Sequence, residues 1–198
     1  MVYSVSSRGR DDTRGAILDA ARALFETNGY HGVALETVAR RAGVSRQAIY
    51  LHFDSKAALL TALHQRVFEL DVEPELRKVW ACPDAGAGLD AFVTATAVVA
   101  PKILGLFVAL ESAARVEDVA GATFEPPREG RRAECLRMAR WLADEGRLAP
   151  GVSPAQAGDL LFALASLQCY ENLVVICGWS ARRWTTWLRS SLRTLLLA

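Results

Sequence analysis

One short segment in the N-terminal third of the chain carries the side chains whose types and spacing best suit a chemical task. At about 100° per residue along a helix, Ile49 and Phe53 share one face. Gln47 and Leu51 point the opposite way, and such a glutamine can pair bidentately with adenine while an apolar neighbour meets a thymine methyl. Lys56 stands at the start of a further helix, where its charge and the free helix amides can hold a phosphate. The pattern therefore favours a helix that recognises base pairs in duplex DNA.

Two short helices joined by a tight turn must position these side chains. Ala39 is small at the point where the two helices have to cross closely. Gly43 can adopt the positive φ that the turn requires, and Ser45 can cap the amides of the second helix. Residues 34–53 are thus predicted to form a helix-turn-helix. The alternative is an ordinary helical hairpin with a polar face, because glycine turns and serine caps occur in many helical proteins.

The order of residues around this segment resembles the DNA-binding domain of the TetR family of bacterial transcriptional regulators. The shared signature is Ala-Gly-Val-Ser-x-x-x-x-Tyr-x-His-Phe-x-Ser-Lys-x-x-Leu-Leu, residues 42–60, within a similar stretch from Asp11 to Leu70. The resemblance implies sequence-specific binding to double-stranded operator DNA. It places these residues at DNA-contacting positions: Ser45, Arg46, Gln47, Ala48, Tyr50, Leu51, His52 and Lys56.

The chain departs from the family pattern at a few of these places. Val33 and Ala34 stand where the family usually has a hydroxyl residue, so a helix cap and a phosphate contact are missing. Ala48 also lacks the hydroxyl that is often found there, and Gln47 is larger than the usual small residue. The loss of the hydroxyl at Ala48 removes one direct contact of the family pattern, and we expect the larger Gln47 to shift base preference.

Length and composition predict an all-α protein of two domains. The chain has 198 residues, of which 52% are apolar. Its net charge of +1 does not by itself indicate a polyanionic partner. We expect a DNA-binding domain over residues 11–71 and a ligand-sensing and dimerisation domain over 72–198. Pro74 should kink or end a helix, and Pro101 should start another. About nine helices are expected, at 12–28, 35–42, 45–52, 56–74, 88–100, 101–116, 131–145, 155–177 and 181–197.

Nothing in the sequence favours catalysis, a metal or a cofactor. His31, His52 and His64 do not fall in a metal-ligand spacing, and the four cysteines form no Cys-x-x-Cys pair. The polar N-terminus is unlike a signal peptide. Two apolar stretches, 92–110 and 160–179, carry charged or polar residues in their middle, which a bilayer would disfavour. We therefore expect a cytoplasmic protein that makes no membrane contact.

The last two predicted helices indicate self-association. Their sequence from Tyr170 to Leu192 is similar to the C-terminal hairpin of a subset of TetR-family regulators. Such a hairpin has more apolar surface than one domain can cover, so a two-fold four-helix interface is expected. The alternative is a monomer that buries this surface internally. The predicted interface residues are Trp184, Trp187, Leu188, Leu192 and Leu195.

A small-molecule effector is expected among the middle helices. The candidate lining residues are large apolar side chains and a few polar ones among apolar neighbours: Phe92, Phe107, Glu111, Trp141, Phe162, Gln168, Cys169 and Asn172. Aromatic residues at helical spacing are more often plain core. Together these features predict a repressor that a small apolar effector releases from a palindromic operator. The alternatives are a constitutive repressor without a ligand and a helical adaptor protein that binds no specific DNA.

Overall fold

A computed structural model describes the backbone of residues 4–114 and 118–198 and the side chains of residues 9–112 and 128–198. Over these ranges the chain forms nine helices and no β-strand, with an isolated antiparallel bridge between Leu148 and Leu197. The predicted all-α class is confirmed. The helices are α1 (Ser4–Asn28), α2 (Leu35–Ala42), α3 (Arg46–Tyr50), α4 (Lys56–Val67, a π-helical turn at Phe68–Val72, and Glu73–Trp80), α5 (Ala85–Ala114), α6 (Asp118–Asp144), α7 (Pro154–Leu164), α8 (Leu167–Tyr170 and a π-helical turn at Glu171–Ile176) and α9 (Ala181–Leu196).

The first of two compact units contains residues 1–68 and 105–124. Helix α1 packs on α2 and α4, because each presents apolar residues three and four positions apart along one face. These side chains are withdrawn from water: Ile17, Leu18, Phe25, Val38, Ile49, Leu59, Leu60 and Leu63. Burial of a leucine or isoleucine of this kind stabilises the fold by about 1.5–3 kcal/mol, so the core fixes α3 through Ile49.

The second unit contains residues 69–104 and 125–198 and has its own apolar core. Helices α5, α6, α7 and α9 supply its most deeply buried side chains: Leu89, Val93, Met138, Leu142, Leu161, Trp184, Leu188 and Leu192. The start of α7 is well specified locally. Ser153 accepts a hydrogen bond from the backbone N–H of Gln156, whose side chain accepts one from the backbone N–H of Ser153, and Pro154 follows at the first helical position.

Several helix boundaries differ from those predicted. Pro101 lies inside α5, where the burial of neighbours such as Val99 and Ala100 offsets the hydrogen bond that proline removes. Pro74 does not end α4, because the wide π turn finishes at Val72 and the proline enters the following α-helical segment in its first turn. The predicted single helix over 155–177 is instead two helices, bent by 45°.

By length and composition alone, α5 would pass as a membrane-spanning helix over Ala85–Ser112, and α7 with α8 would pass as one bent span. The apolar window of α5 is 39% buried inside the protein, and Leu89 and Val93 belong to the core of the second unit. Apolar helices of this kind also form the cores of proteins that never meet a bilayer. The expectation of no membrane contact stays a prediction.

Candidate nucleic-acid interface

The turn between α2 and α3 is closed by backbone hydrogen bonds. Gly43 has φ of 69°, and its N–H bonds the carbonyl of Arg40 while the N–H of Val44 bonds that of Ala39. This pairing ends a helix in a left-handed residue, a conformation that glycine adopts without steric penalty. The side-chain oxygen of Ser45 then accepts a hydrogen bond from the N–H of Ala48 at 3.1 Å and starts α3. The helix-turn-helix therefore has a defined geometry at both sides of its turn.

The orientation of α3 that the spacing predicts is confirmed. Ile49 is fully buried and Phe53 is 4% exposed, so both face the core. Leu51 is 68% exposed on the opposite side, and Gln47 is exposed beside it. A short helix with such an outward face is what the major groove admits. Leu51 is too large and apolar to be left in water without cost, which makes it a candidate contact for a thymine methyl.

The remaining predicted residues of α3 differ in their exposure. Tyr50 is 44% exposed, whereas Ala48 and His52 are half-buried. The small side chain of Ala48 can meet a base only if the helix approaches the groove closely. Contact with DNA by these residues stays a prediction.

Arg46 is held by neighbours on both helices. Its guanidinium lies 2.6 Å from the carboxylate of Glu36 on α2 and donates a hydrogen bond to the hydroxyl of Tyr50 at 3.3 Å. The bond to Tyr50 and the charge of Glu36 raise the pKa of Arg46 above its ordinary value. The pair with Glu36 is exposed to water and so contributes little to stability. A phosphate can therefore replace Glu36 as the partner of Arg46 at small cost.

Lys56 has a structural contact that the sequence did not predict. Its ammonium donates a hydrogen bond to the backbone oxygen of Tyr30 at 2.6 Å and lies 3.9 Å from the centre of the Tyr30 ring. The side chain is half-buried, and the Phe25 ring is 6.0 Å away. These contacts offset the unfavourable placement of a cation at a helix N-terminus. The contact joins residues 26 positions apart, so no pattern within one helix signals it.

Other cations lie near the helix-turn-helix in sequence and structure. Arg40 and Arg41 are exposed in the last turn of α2, and the guanidinium of Arg14 lies 5.4 Å from the centre of the Phe53 ring. Arg40 and Arg41 are not among the DNA-contacting positions that the family resemblance implies, whereas Arg46 is. At the start of α2, Ala34 makes no side-chain cap, as the departure from the family pattern predicts.

The predicted interface on α9 needs correction. Trp184, Leu188 and Leu192 are fully buried within their own chain, so the prediction that they contact a partner is wrong. They fill the core of the second unit, because the apolar stripe of α9 faces inward. Trp187 is half-buried and Leu195 is 44% exposed, and both remain candidates. The sequence did not single out Val175 and Ile176, which are 61% and 71% exposed at the end of α8.

The predicted effector residues are divided between the two compact units. Phe107 and Glu111 belong to the first unit, and the others belong to the second. Gln168 and Asn172, which the sequence predicts among the lining residues of an effector site, are exposed to water. Phe92 is 6% exposed within the core, and the ring of Phe162 lies 4.8 Å from the guanidinium of Arg131. A ligand site built from these eight residues stays a prediction.

Two open depressions lie on the second unit. One, of about 360 Å³, is lined by Trp141 together with Trp80, Arg137, Arg140 and Asp144. The other, of about 430 Å³, is lined by Gly151, Val152, Gln156, Asp159 and Leu160. Only the first of these two contains a residue from the predicted set. Among the described side chains, no group of three or more His, Cys, Asp and Glu residues is placed to hold a metal ion.

Comparison with known proteins agrees with the geometry of the N-terminal unit. The sequence profile of the bacterial regulatory proteins of the tetR family matches residues 17–63. The transcriptional activator FasR of Mycolicibacterium smegmatis is 46% identical over 57 residues, which is 29% of this chain and 26% of that protein. The regulator SrpR of Pseudomonas putida is 41% identical over 69 residues, covering 33% of this chain and 32% of that protein. The chain thus spans about a third or less of the length of these two curated relatives.

Likeness of fold extends over nearly the whole chain. A proposed transcriptional regulator from Saccharomonospora viridis, whose crystal structure contains choline, superposes with a TM-score of 0.81 at 17% identity. The match covers 95% of this chain and 99% of that one. At this level of identity the likeness concerns the fold alone. Over residues 17–63 this chain is therefore similar in sequence to the tetR family of bacterial regulatory proteins, and over nearly its whole length it has the fold of the Saccharomonospora viridis protein.

Proposed function

We propose that this protein is a transcriptional repressor that binds a palindromic DNA operator as a homodimer and is released by a small effector. The observation that carries the DNA-binding part is the outward face of α3. Gln47 and Leu51 are exposed directly opposite the buried Ile49 and Phe53, on a helix whose start is capped by Ser45. Base contacts by this face would specify sequence, and Arg46 and Tyr50 at its edge would position the helix on phosphates.

A homodimer is favoured by apolar side chains that the protomer leaves in water. Val175 and Ile176 at the end of α8 and Leu195 on α9 are large, exposed residues on helices of one unit. A second copy of this chain would cover them with the same residues in a two-fold contact. The two copies of α3, related by a two-fold axis, then require an operator of the same symmetry. The proposed homodimer therefore implies a palindromic operator.

The effector part of the proposal rests on thermodynamic linkage. A ligand releases DNA only if it binds the DNA-free form more tightly, and coupling of this kind is typically about 1–3 kcal/mol. A constitutive repressor without an effector is the second candidate, favoured by the exposure of the predicted ligand residues Gln168 and Asn172 to water. A helical adaptor has no evident use for an exposed glutamine and cations around a capped short helix. Action on DNA would place the protein in the cytoplasm.

The decisive experiment is selection of bound duplexes from a random library, followed by a reporter assay on the enriched site. We expect a palindrome whose half-site centres are about 34–36 Å apart and lower transcription when the protein is present. The double variant Gln47→Ala, Leu51→Ala is the matched control, because both side chains are exposed and the fold does not need them. Absence of an enriched palindrome would refute the repressor proposal. Increased transcription from an enriched site would keep DNA binding but replace repression by activation.

A further inference from the structure

Two tryptophans and two arginines line the 360 Å³ depression on the second unit. Trp80 is the last residue of α4, and the other lining residues follow one face of α6, at positions 137, 140, 141 and 144. Spacings of three and four residues place those four side chains side by side on a helix. The volume lies at the small end of the range for ligand sites.

The indole of Trp141 is held in place by its contact with α5. A Cβ atom on Gly88 of α5 would lie 2.5 Å from Cζ3 of Trp141, so the ring packs directly on the α5 backbone. Its centroid is 5.9 Å from that of Trp80, with the two ring planes 39° apart. Both side chains are half-buried. The aromatic wall of the depression is therefore rigid and partly open to a ligand.

The charges of the lining favour an anion. Arg137 lies 3.9 Å above the Trp80 ring, and its closest carboxylate, on Glu134, is 3.8 Å away. Arg140 is exposed, and no ion pair joins it to any side chain in the described ranges. Asp144 is the single acid among the five lining residues, so the two guanidinium groups leave a net positive charge. Guanidinium groups bind planar carboxylates through paired hydrogen bonds.

We propose that this depression binds a small planar aromatic carboxylate, with its ring against Trp80 and Trp141 and its carboxylate on Arg137 and Arg140. A neutral aromatic compound would keep the ring contact and lose the charge-assisted hydrogen bonds. A quaternary ammonium ion would meet two guanidinium groups and is disfavoured. As a binding site the depression stands apart from any action on DNA, whereas its role as the effector site rests on the function proposed above.

Isothermal titration calorimetry of the full chain, without DNA, tests the site. The probes are 2-naphthoate, its neutral analogue naphthalene-2-carboxamide, and choline. We expect a Kd between about 20 µM and 1 mM for 2-naphthoate, the range that its size allows. The amide should bind at least roughly ten-fold more weakly, as expected from the loss of a charge-assisted pair, and choline should show no heat of binding. Equal binding of the acid and the amide, or no binding of the acid at millimolar concentration, would overturn the proposal.

Two variants locate the site. Arg137→Gln and Arg140→Gln should each weaken 2-naphthoate binding by about ten-fold or more, because each removes a guanidinium donor. Arg182→Gln, at an exposed position on α9, is the matched control and should bind like the wild type. Unchanged affinity in both site variants would refute the assignment. Adding 2-naphthoate to an operator complex is a separate measurement: binding at this site without release of DNA would retain the site and reject its role as effector site.

Discussion

The ammonium nitrogen of Lys56 lies 2.6 Å from the backbone oxygen of Tyr30 and 3.9 Å from the centre of the Tyr30 ring. One side chain thus joins the N-terminus of α4 to the turn that follows α1. The same residue occupies a DNA-contacting position by family resemblance. Its ammonium group has three donors, and the carbonyl of Tyr30 accepts a hydrogen bond from one of them. We therefore expect that replacing Lys56 changes both the stability of the fold and the affinity for DNA.

Replacing Lys56 with alanine should lower both the stability of the fold and the affinity for DNA. Loss of the hydrogen bond and of the ring contact should reduce the free energy of unfolding by about 1–2 kcal/mol. Affinity for every DNA sequence should fall alike, with the slope of log K against log salt reduced by about 0.9 per subunit. Thermal unfolding and salt titrations measure the two effects. Arg41→Ala, which removes an exposed cation, is the control for stability, and an unchanged melting temperature for Lys56→Ala would contradict the structural role.

Gln47 should determine one base per half-site. Gln47→Ala removes a bidentate donor and acceptor and should lower discrimination at that position by about 1–3 kcal/mol, while affinity for a random duplex stays the same. Competition binding with single-base variants of the operator measures the change. Gln65→Ala, on the exposed side of α4, is the matched control. A uniform loss across all variants would mean that Gln47 contacts the backbone instead.

Burial separates residues that hold the protomer together from those proposed to hold the dimer together. Leu192→Glu places a charge in the core of the second unit and should unfold it, since an unpaired buried charge costs several kcal/mol. Ile176→Glu alters a side chain that is 71% exposed and should leave a folded monomer. Circular dichroism and sedimentation at micromolar concentration distinguish the two outcomes. Leu70→Glu, at a residue 62% exposed on α4, should remain dimeric, and a wild-type monomer would refute the interface.

The thiol of Cys135 should remain unreactive in the folded protein. Burial raises its pKa to about 11, so the thiol is neutral at physiological pH, whereas Cys177 is exposed. Because the folded pKa lies above the unfolded one, the stability from the buried thiol is complete below about pH 8.5 and is lost as the pH rises towards 11. Denaturant titrations at pH 7.5 and 10.5 should show a larger loss of stability for the wild type than for Cys135→Ala. Equal losses in the two proteins would contradict this prediction.

The close approach of Gly88 to Trp141 should not tolerate a methyl group. Gly88→Ala would place its Cβ 2.5 Å from the indole, so the ring must shift and stability should fall by about 1–3 kcal/mol. Gly130→Ala is the matched control, because nothing lies within 4 Å of a Cβ at that helical position. It should stabilise slightly by restricting the unfolded chain. Urea unfolding followed by tryptophan fluorescence compares the two, and equal stability would refute the packing.

Local periodicity predicted the orientation of α3, because Ile49 and Phe53 are four residues apart and their burial decides which way Gln47 points. It could not predict the contact of Lys56 with Tyr30, since that contact joins residues 26 positions apart in the chain. A pattern within one helix carries no information on where a separate turn will lie.

The stripe on α9 shows a second limit of the sequence. Its spacing correctly marked Trp184, Leu188 and Leu192 as buried, but burial in the protomer and burial in a dimer require the same pattern. Polar residues such as Gln168 were misjudged for a related reason. A polar side chain among apolar neighbours in the sequence can still point to water, as it does at the bend between α7 and α8.

The π-helical turn at Phe68–Val72 makes α4 tolerant of a change in length. A π turn accommodates one residue more than an α turn while the flanking helix keeps its register, as if a residue had been inserted there. Deleting Glu69 should restore a regular helix in which Leu63 and Val79 still face their cores. The deletion must be combined with Pro74→Ala, because the proline ring would clash with the backbone of a regular helix. Deleting Ala62 from the regular segment would instead turn every later side chain by about 100°. Length variation among natural relatives is therefore expected at this turn and not before it.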